Sequence, residues 1–139
     1  MPRPILLASI ILTCVGATAR AQSPADTMPV RVVERAIEAF KRKDLDATFA
    51  DYDTTFTYEI LGDGKGQRRV RRADWVRQMK SDTSVVEFMN TWSITKIERG
   101  SRGPWVFDIW TVRGPNGETM KHVDLFEVRN GKIVREIEG

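Results

Sequence analysis

From Val33 the chain repeats apolar residues at Ala36, Ile37 and Phe40, with Arg35, Glu38, Lys41 and Arg42 between them. That spacing predicts an amphipathic helix. It opens at Pro29, where a missing N–H is tolerated, and closes near Lys43 with cations in its last turn. Asp44 predicts the cap of a second, shorter helix from Leu45 to Asp51, with Leu45 and Phe49 inward. The period then changes. Thr54, Phe56, Tyr58 and Ile60 alternate with Thr55, Thr57, Glu59 and Leu61, which predicts a strand. Gly62, Gly64 and Gly66 break it, and a third helix carrying Trp75, Val76 and Met79 runs from Ala73 to Lys80. The remainder reads as strands over Val85–Ile97, Trp105–Val112, Met120–Arg129 and Ile133–Glu138. Turns fall at Gly100–Gly103, Gly114–Gly117 and Asn130-Gly131, the last a strong hairpin signal. The pattern predicts one α+β domain.

Composition changes this picture mainly at the N-terminus. Arg3 precedes an apolar run from Ile5 to Val15, and Ala19-Arg20-Ala21 has the small-x-small form of a signal-peptidase site. The run is too short to cross a bilayer, which takes about 20 apolar residues. Residues 1–21 therefore read as a secretory signal peptide, 22–28 as a polar, disordered lead-in, and 29–139 as the folded domain of a secreted or periplasmic protein. Cleavage removes Arg3 and Arg20 with no acid, so the formal charge of +3 falls by two. Little electrostatic warrant is left for a nucleic-acid partner, or for a membrane partner after cleavage. The single cysteine, Cys14, leaves with the leader, which excludes disulfides and thiolate chemistry in the exported chain. One His and dispersed acids give no metal-ligand spacing. No cofactor motif is present either: the Gly62–Gly66 spacing lacks the helix and Lys-Ser/Thr of a phosphate loop. The run from Lys65 to Arg72 reads as a solvated basic loop.

The order of elements, the opening Val33-Glu34-Arg35-Ala36-Ile37-Glu38-Ala39-Phe40, the junction Lys43-Asp44-Leu45-Asp46 and the closing segment from His122 to Val134 together resemble the SnoaL-like branch of the nuclear transport factor 2-like superfamily. That group includes polyketide cyclases and ketosteroid isomerases. The resemblance implies a curved, mostly antiparallel sheet wrapped around three helices, cone-shaped, with an apolar pocket and frequent dimers. It does not fix a reaction.

Asn130-Gly131 as a two-residue turn places Asp124 opposite Ile137, Phe126 opposite Arg135 and Val128 opposite Ile133. A two- or four-residue loop at Gly114–Gly117 puts His122 and Asp124 on one face with Trp105, Phe107, Ile109, Met120 and Phe126; a three-residue turn would break this parity. That face is assigned to the pocket, with Phe56 joining it from the first strand. The opposite face carries Asp108, Trp110, Lys121, Val123, Leu125 and Glu127. Its apolar members predict a homodimer interface.

His122 and Asp124 are candidate catalytic groups, because a carboxyl in an apolar lining has a raised pKa and an imidazole moves protons near neutral pH. The alternative is a structural hydrogen-bonded pair that holds the sheet. By the resemblance, Asp124 falls where a ketosteroid isomerase donates a hydrogen bond to the oxyanion. The isomerase's base has no counterpart in Phe56-Thr57-Tyr58-Glu59. Alternation points Tyr58 into the pocket to orient a carbonyl, and Glu59 would need a one-residue shift. Two functions stay open. One is a cofactor-free isomerase, lyase or cyclase acting on a small, largely apolar molecule through Asp124, His122 and Tyr58. The other is a non-catalytic binding or assembly module of the same fold.

The leader makes the first testable prediction. N-terminal sequencing of the protein from its native host should begin at or near Gln22. A mature chain that starts at Met1 in the cytosol contradicts export.

Overall fold

The computed structural model describes residues 24–139; the leader expected over 1–21 lies outside them. Helix α1 (Pro24–Lys41) is followed by the short α2 (Leu45–Thr48), strand β1 (Tyr52–Ile60) and strand β2 (Arg68–Arg71). Helices α3 (Arg72–Ser81) and α4 (Thr83–Thr91) precede β3 (Ser93–Arg102), β4 (Trp105–Arg113), β5 (Thr119–Arg129) and β6 (Lys132–Glu138). The strands form one six-stranded sheet in the order β2-β1-β6-β5-β4-β3, antiparallel except where β1 lies parallel to β6. The helices cover one face of this sheet. This is the α+β architecture expected, with four helices in place of three.

The differences have local causes. Helix α1 begins at Pro24, so it takes in most of the segment read as a lead-in. Pro29 falls inside it, where the missing N–H forfeits one helical bond. Val85–Thr91 is helix, not strand. Asp82 caps α4, its side chain accepting from the backbone N–H of Ser84 and Val85. Val85, Phe88 and Met89 then face inward at helical spacing, although Val85 and Val86 are β-branched. Arg68–Arg71 is an edge strand rather than a loop, paired with Thr55–Tyr58 of β1. Its arginines suit an edge that must not recruit further strands.

The core joins α1 to the inner face of the sheet. Val33 of α1, Phe56 of β1, Val106 and Val112 of β4, Phe126 of β5 and Ile133 of β6 are all fully buried. One buried ion pair crosses the sheet. Arg99 of β3 donates from Nε and Nη2 to the two carboxylate oxygens of Asp108, at 2.6 and 2.7 Å. Asp108 has 0% of its surface exposed, and the fork satisfies a charge that would otherwise be costly to bury.

Two registers decide which side chains face inward. Arg113 pairs with Thr119, so the β4–β5 loop is five residues long, not two or four. An odd loop reverses the expected parity. Trp110 now opposes His122, Asp108 opposes Asp124, and Trp105, Phe107 and Ile109 turn to the outer face. The Asn130-Gly131 hairpin forms as expected, with both φ positive and Val128 opposite Ile133. Beyond it a bulge intervenes. Glu127 pairs with Arg135, so Val134 is an extra residue in β6, and Asp124 faces Glu138 rather than Ile137. Arg135 and Ile137 turn outward, while Glu136 and Glu138 turn in.

Candidate functional site

The cavity between helices and sheet encloses about 340 Å³. Helix α1 supplies Ile37 and Phe40 to its wall, α3 supplies Trp75 and Met79, and α4 supplies Val85 and Phe88. These follow from the helical spacing of apolar residues. The sheet supplies the chemistry. Tyr52 and Tyr58 come from β1, Trp110 from β4, Met120, His122, Asp124 and Phe126 from β5, and Glu136 and Glu138 from β6.

His122, Asp124, Tyr58, Met120 and Phe126 were all expected here, and the structure brings them together. Trp105, Phe107 and Ile109 do not line the cavity, because the five-residue loop turns them away. Phe56 lies on the inner side but behind the wall, its ring 4.9 Å from that of Tyr52 and 6.2 Å from that of Trp75. Trp110 makes the reverse move. Expected outside, it is buried against Phe40, with ring centroids 5.8 Å apart, and against His122 at 5.4 Å. Sequence reasoning missed Tyr52, Glu136 and Glu138. Only the bulge exposes the two glutamates to the cavity, and no turn residue announces it.

The polar floor is a network of acids and phenols. His122 Nε2 stands 2.9 Å from Asp124 Oδ1 and 3.8 Å from Glu138 Oε1. The first contact is short but not aligned as a hydrogen bond, so Asp124 Oδ1 is a buried acceptor without a donor. The Tyr52 hydroxyl donates to Glu136 Oε2 at 2.8 Å. Tyr58 donates to Glu138 Oε2, so its hydroxyl is committed to a carboxylate and not free to orient a carbonyl as expected. The indole N–H groups of Trp75 and Trp110 are buried without an acceptor. A polar atom on a bound molecule could use them.

Burial dominates the electrostatics. It pushes the Asp124 carboxyl above the ordinary carboxylate range, against the opposing pull of His122 and with added repulsion from Glu138 and Asp108. Glu136 is pushed up further, first by burial and then by Asp124 and Glu138 beside it. His122 is raised above its usual value chiefly by its contact with Asp124, which outweighs burial. Burial and their glutamate partners hold both tyrosines in the phenol form. The floor can therefore hold and pass protons near neutral pH. Among the described residues no group of three or more His, Cys, Asp or Glu side chains is placed to hold a metal ion.

The SnoaL-like domain model matches residues 33–136, most of the chain. No curated protein matches the sequence. Similar solved structures include an NTF2-like protein of unknown function from Mesorhizobium loti, 16% identical, with a TM-score of 0.66 over 85% of this chain and 94% of that one. A LEH-like epoxide hydrolase from M. tuberculosis is 23% identical, with a TM-score of 0.60 over 83% of this chain and 84% of that one. At these identities the likeness is one of fold.

The raised acids set the pH response. Between its unfolded and folded values, a carboxyl of raised pKa binds more protons in the native state, so stability falls as pH rises; a raised histidine acts with the same sign. Melting temperature should therefore fall between about pH 5 and about pH 8, as the raised groups ionise. Glu136→Gln should flatten that slope. A melting temperature that rises over this range, or a variant slope unchanged, contradicts the assignment.

Proposed function

Because the chain belongs to the SnoaL-like domain family, we propose that it is an exported protein whose cavity holds a small, largely apolar molecule and moves a proton on it without a cofactor. The observation that supports this most is a buried carboxyl, Asp124, aimed into the cavity with an unsatisfied oxygen and the sole histidine beside it. In its protonated form Asp124 donates to a developing oxyanion; ionised, it accepts a proton. His122 takes up the second proton position and offsets the charge. Glu138, hydrogen-bonded by Tyr58, lies within reach of His122 and can pass the proton onward. Isomerisation, elimination and cyclisation next to a carbonyl all fit this inventory. Each needs one group that takes a proton and another that gives one.

The test starts with native mass spectrometry of protein from its own host, to capture a copurifying small molecule. Returned to the enzyme, that molecule should be converted by the unmutated chain and at least about a hundredfold more slowly by Asp124→Asn, the usual scale for losing a general acid or base. His122→Gln should lose less and shift the pH profile. Equal turnover by Asp124→Asn contradicts the assignment.

We also infer a homodimer through the outer sheet face. Trp110 no longer belongs to that face, but Phe107, Ile109, Val123, Leu125 and Ile137 make it more apolar than expected. Phe107 and Val123 are 44% and 42% exposed. The Phe107 ring occupies the space a Cβ would need at Gly100. Soluble monomers rarely expose such a contiguous patch. Sedimentation at micromolar concentration should report twice the monomer mass, and Phe107→Glu should shift it to monomer. A monodisperse monomer in the unmutated protein contradicts this.

A further inference from the structure

The cavity carries an imbalance of charge that proton transfer alone does not require. Among the described residues its lining includes the carboxyl groups of Asp124, Glu136 and Glu138, one imidazole, and neither lysine nor arginine. Of the two arginines nearby, one is engaged elsewhere, and the other has a buried Nε without a partner. Arg99 of β3 forks onto Asp108 and reaches Glu34 at 3.3 Å. Arg68 of β2 lies over the Tyr58 ring, with Cζ 5.5 Å from its centroid, and makes no ion pair with the glutamates. The Tyr52 and Tyr58 hydroxyls donate hydrogen bonds to Glu136 and Glu138 but bring no charge. Asp124 Oδ1 has only the poorly aligned His122 Nε2 beside it, at 2.9 Å.

Resting on the pocket reading above, we propose that the molecule bound in this cavity is a protonated amine, its ammonium seated among Asp124, Glu136 and Glu138 and its apolar body laid along Phe40, Phe88 and Trp110. A primary ammonium brings three N–H donors and no acceptor, which suits a floor made of acceptors. One of these donors would satisfy Asp124 Oδ1. The faces of Phe40 and Trp110 also favour a cation over a neutral or negative group. A carboxylate or phosphate ligand would place negative charge beside three acids, one of them, Asp124, almost fully buried. A neutral ligand would bring no charge to favour their ionised forms.

The pH dependence follows from the groups that face the site. These are His122 and Asp124 on β5, Glu136 and Glu138 on β6, Tyr52 and Tyr58 on β1, Asp108 with its Arg99 across β4 and β3, and Arg68 on β2. Without ligand, burial disfavours the ionised forms of Asp124 and Glu136. A seated ammonium favours their ionised forms, so binding expels a proton. Deprotonation of His122 removes a competing cation and acts in the same direction. Affinity should therefore rise with pH from about 5 to about 8, below the range where an alkylamine loses its own proton near about 10.

The experiment is isothermal titration of the full chain with phenethylamine and with its neutral isostere, phenethyl alcohol. It is run in two buffers of different ionisation enthalpy. The amine should bind at least about tenfold more tightly, on the order of 1.4 kcal/mol. Its heat should differ between buffers by the amount that reports proton release. Asp124→Asn and Glu138→Gln should each cost the amine about tenfold or more, with circular dichroism and melting temperature showing that both variants fold; an unchanged amine affinity in both contradicts the proposal. If the alcohol binds as tightly as the amine, the amine assignment fails and the apolar-pocket reading stands. If neither binds, both fail.

Discussion

Between Glu127 and Val128 the β5–β6 ladder absorbs one extra residue, Val134, and strict alternation along the strand turns the rest of β6 over. Ile133 stays in the core, yet Glu136 faces the same way although it lies an odd number of positions further on. Without this bulge the cavity would be floored by Arg135 and Ile137. With it, two glutamates arrive beside Asp124, and Tyr52 and Tyr58 of the parallel neighbour β1 find acceptors. The chemistry of the floor, its affinity for protons and its preference for a positive ligand all descend from that displacement.

The inner face shows two ways of handling buried acid. Asp108 and Asp124 oppose each other on neighbouring strands, and both are almost completely buried. Asp108 is neutralised by a two-pronged arginine, the arrangement expected of a charge that serves the fold. Asp124 has only a misaligned histidine and two more acids as neighbours. Leaving it so costs stability, and a fold that needed only rigidity would do better with an apolar residue there. The contrast sets a fully paired charge beside a poorly paired one within one pair of strands.

Much of the architecture was legible in the sequence because it rests on local rules. The helical spacing of Val33, Ala36, Ile37 and Phe40, the cap at Asp44 and the positive-φ hairpin at Asn130-Gly131 each act over a few residues. Helix α4 was obscured because Val85 and Val86 favour strands, while the Asp82 cap and the inward row of Val85, Phe88 and Met89 prevail. The facing of the strands was the weaker inference. It depended on counting the residues from Gly114 to Glu118 and on a bulge that tertiary packing imposes. His122 and Asp124 still share a face, because residues two apart on one strand do so whatever the register, and Tyr58 joins them through the alternation along β1. Trp105, Phe107 and Ile109 do not join them, because their facing hung on the loop.

The central claim is that Asp124 and Glu136 form one electrostatically linked pair of acids inside the cavity. It is tested most directly by a carbon-13 NMR titration of their side-chain carboxyl carbons in the unliganded protein. The account predicts that Asp124 and Glu136 titrate above the ordinary carboxylate range, in overlapping steps that each carbon senses in the other. Independent titration of both near the values of free aspartate and glutamate would contradict it, and would place Glu136 in solvent on an unbulged β6.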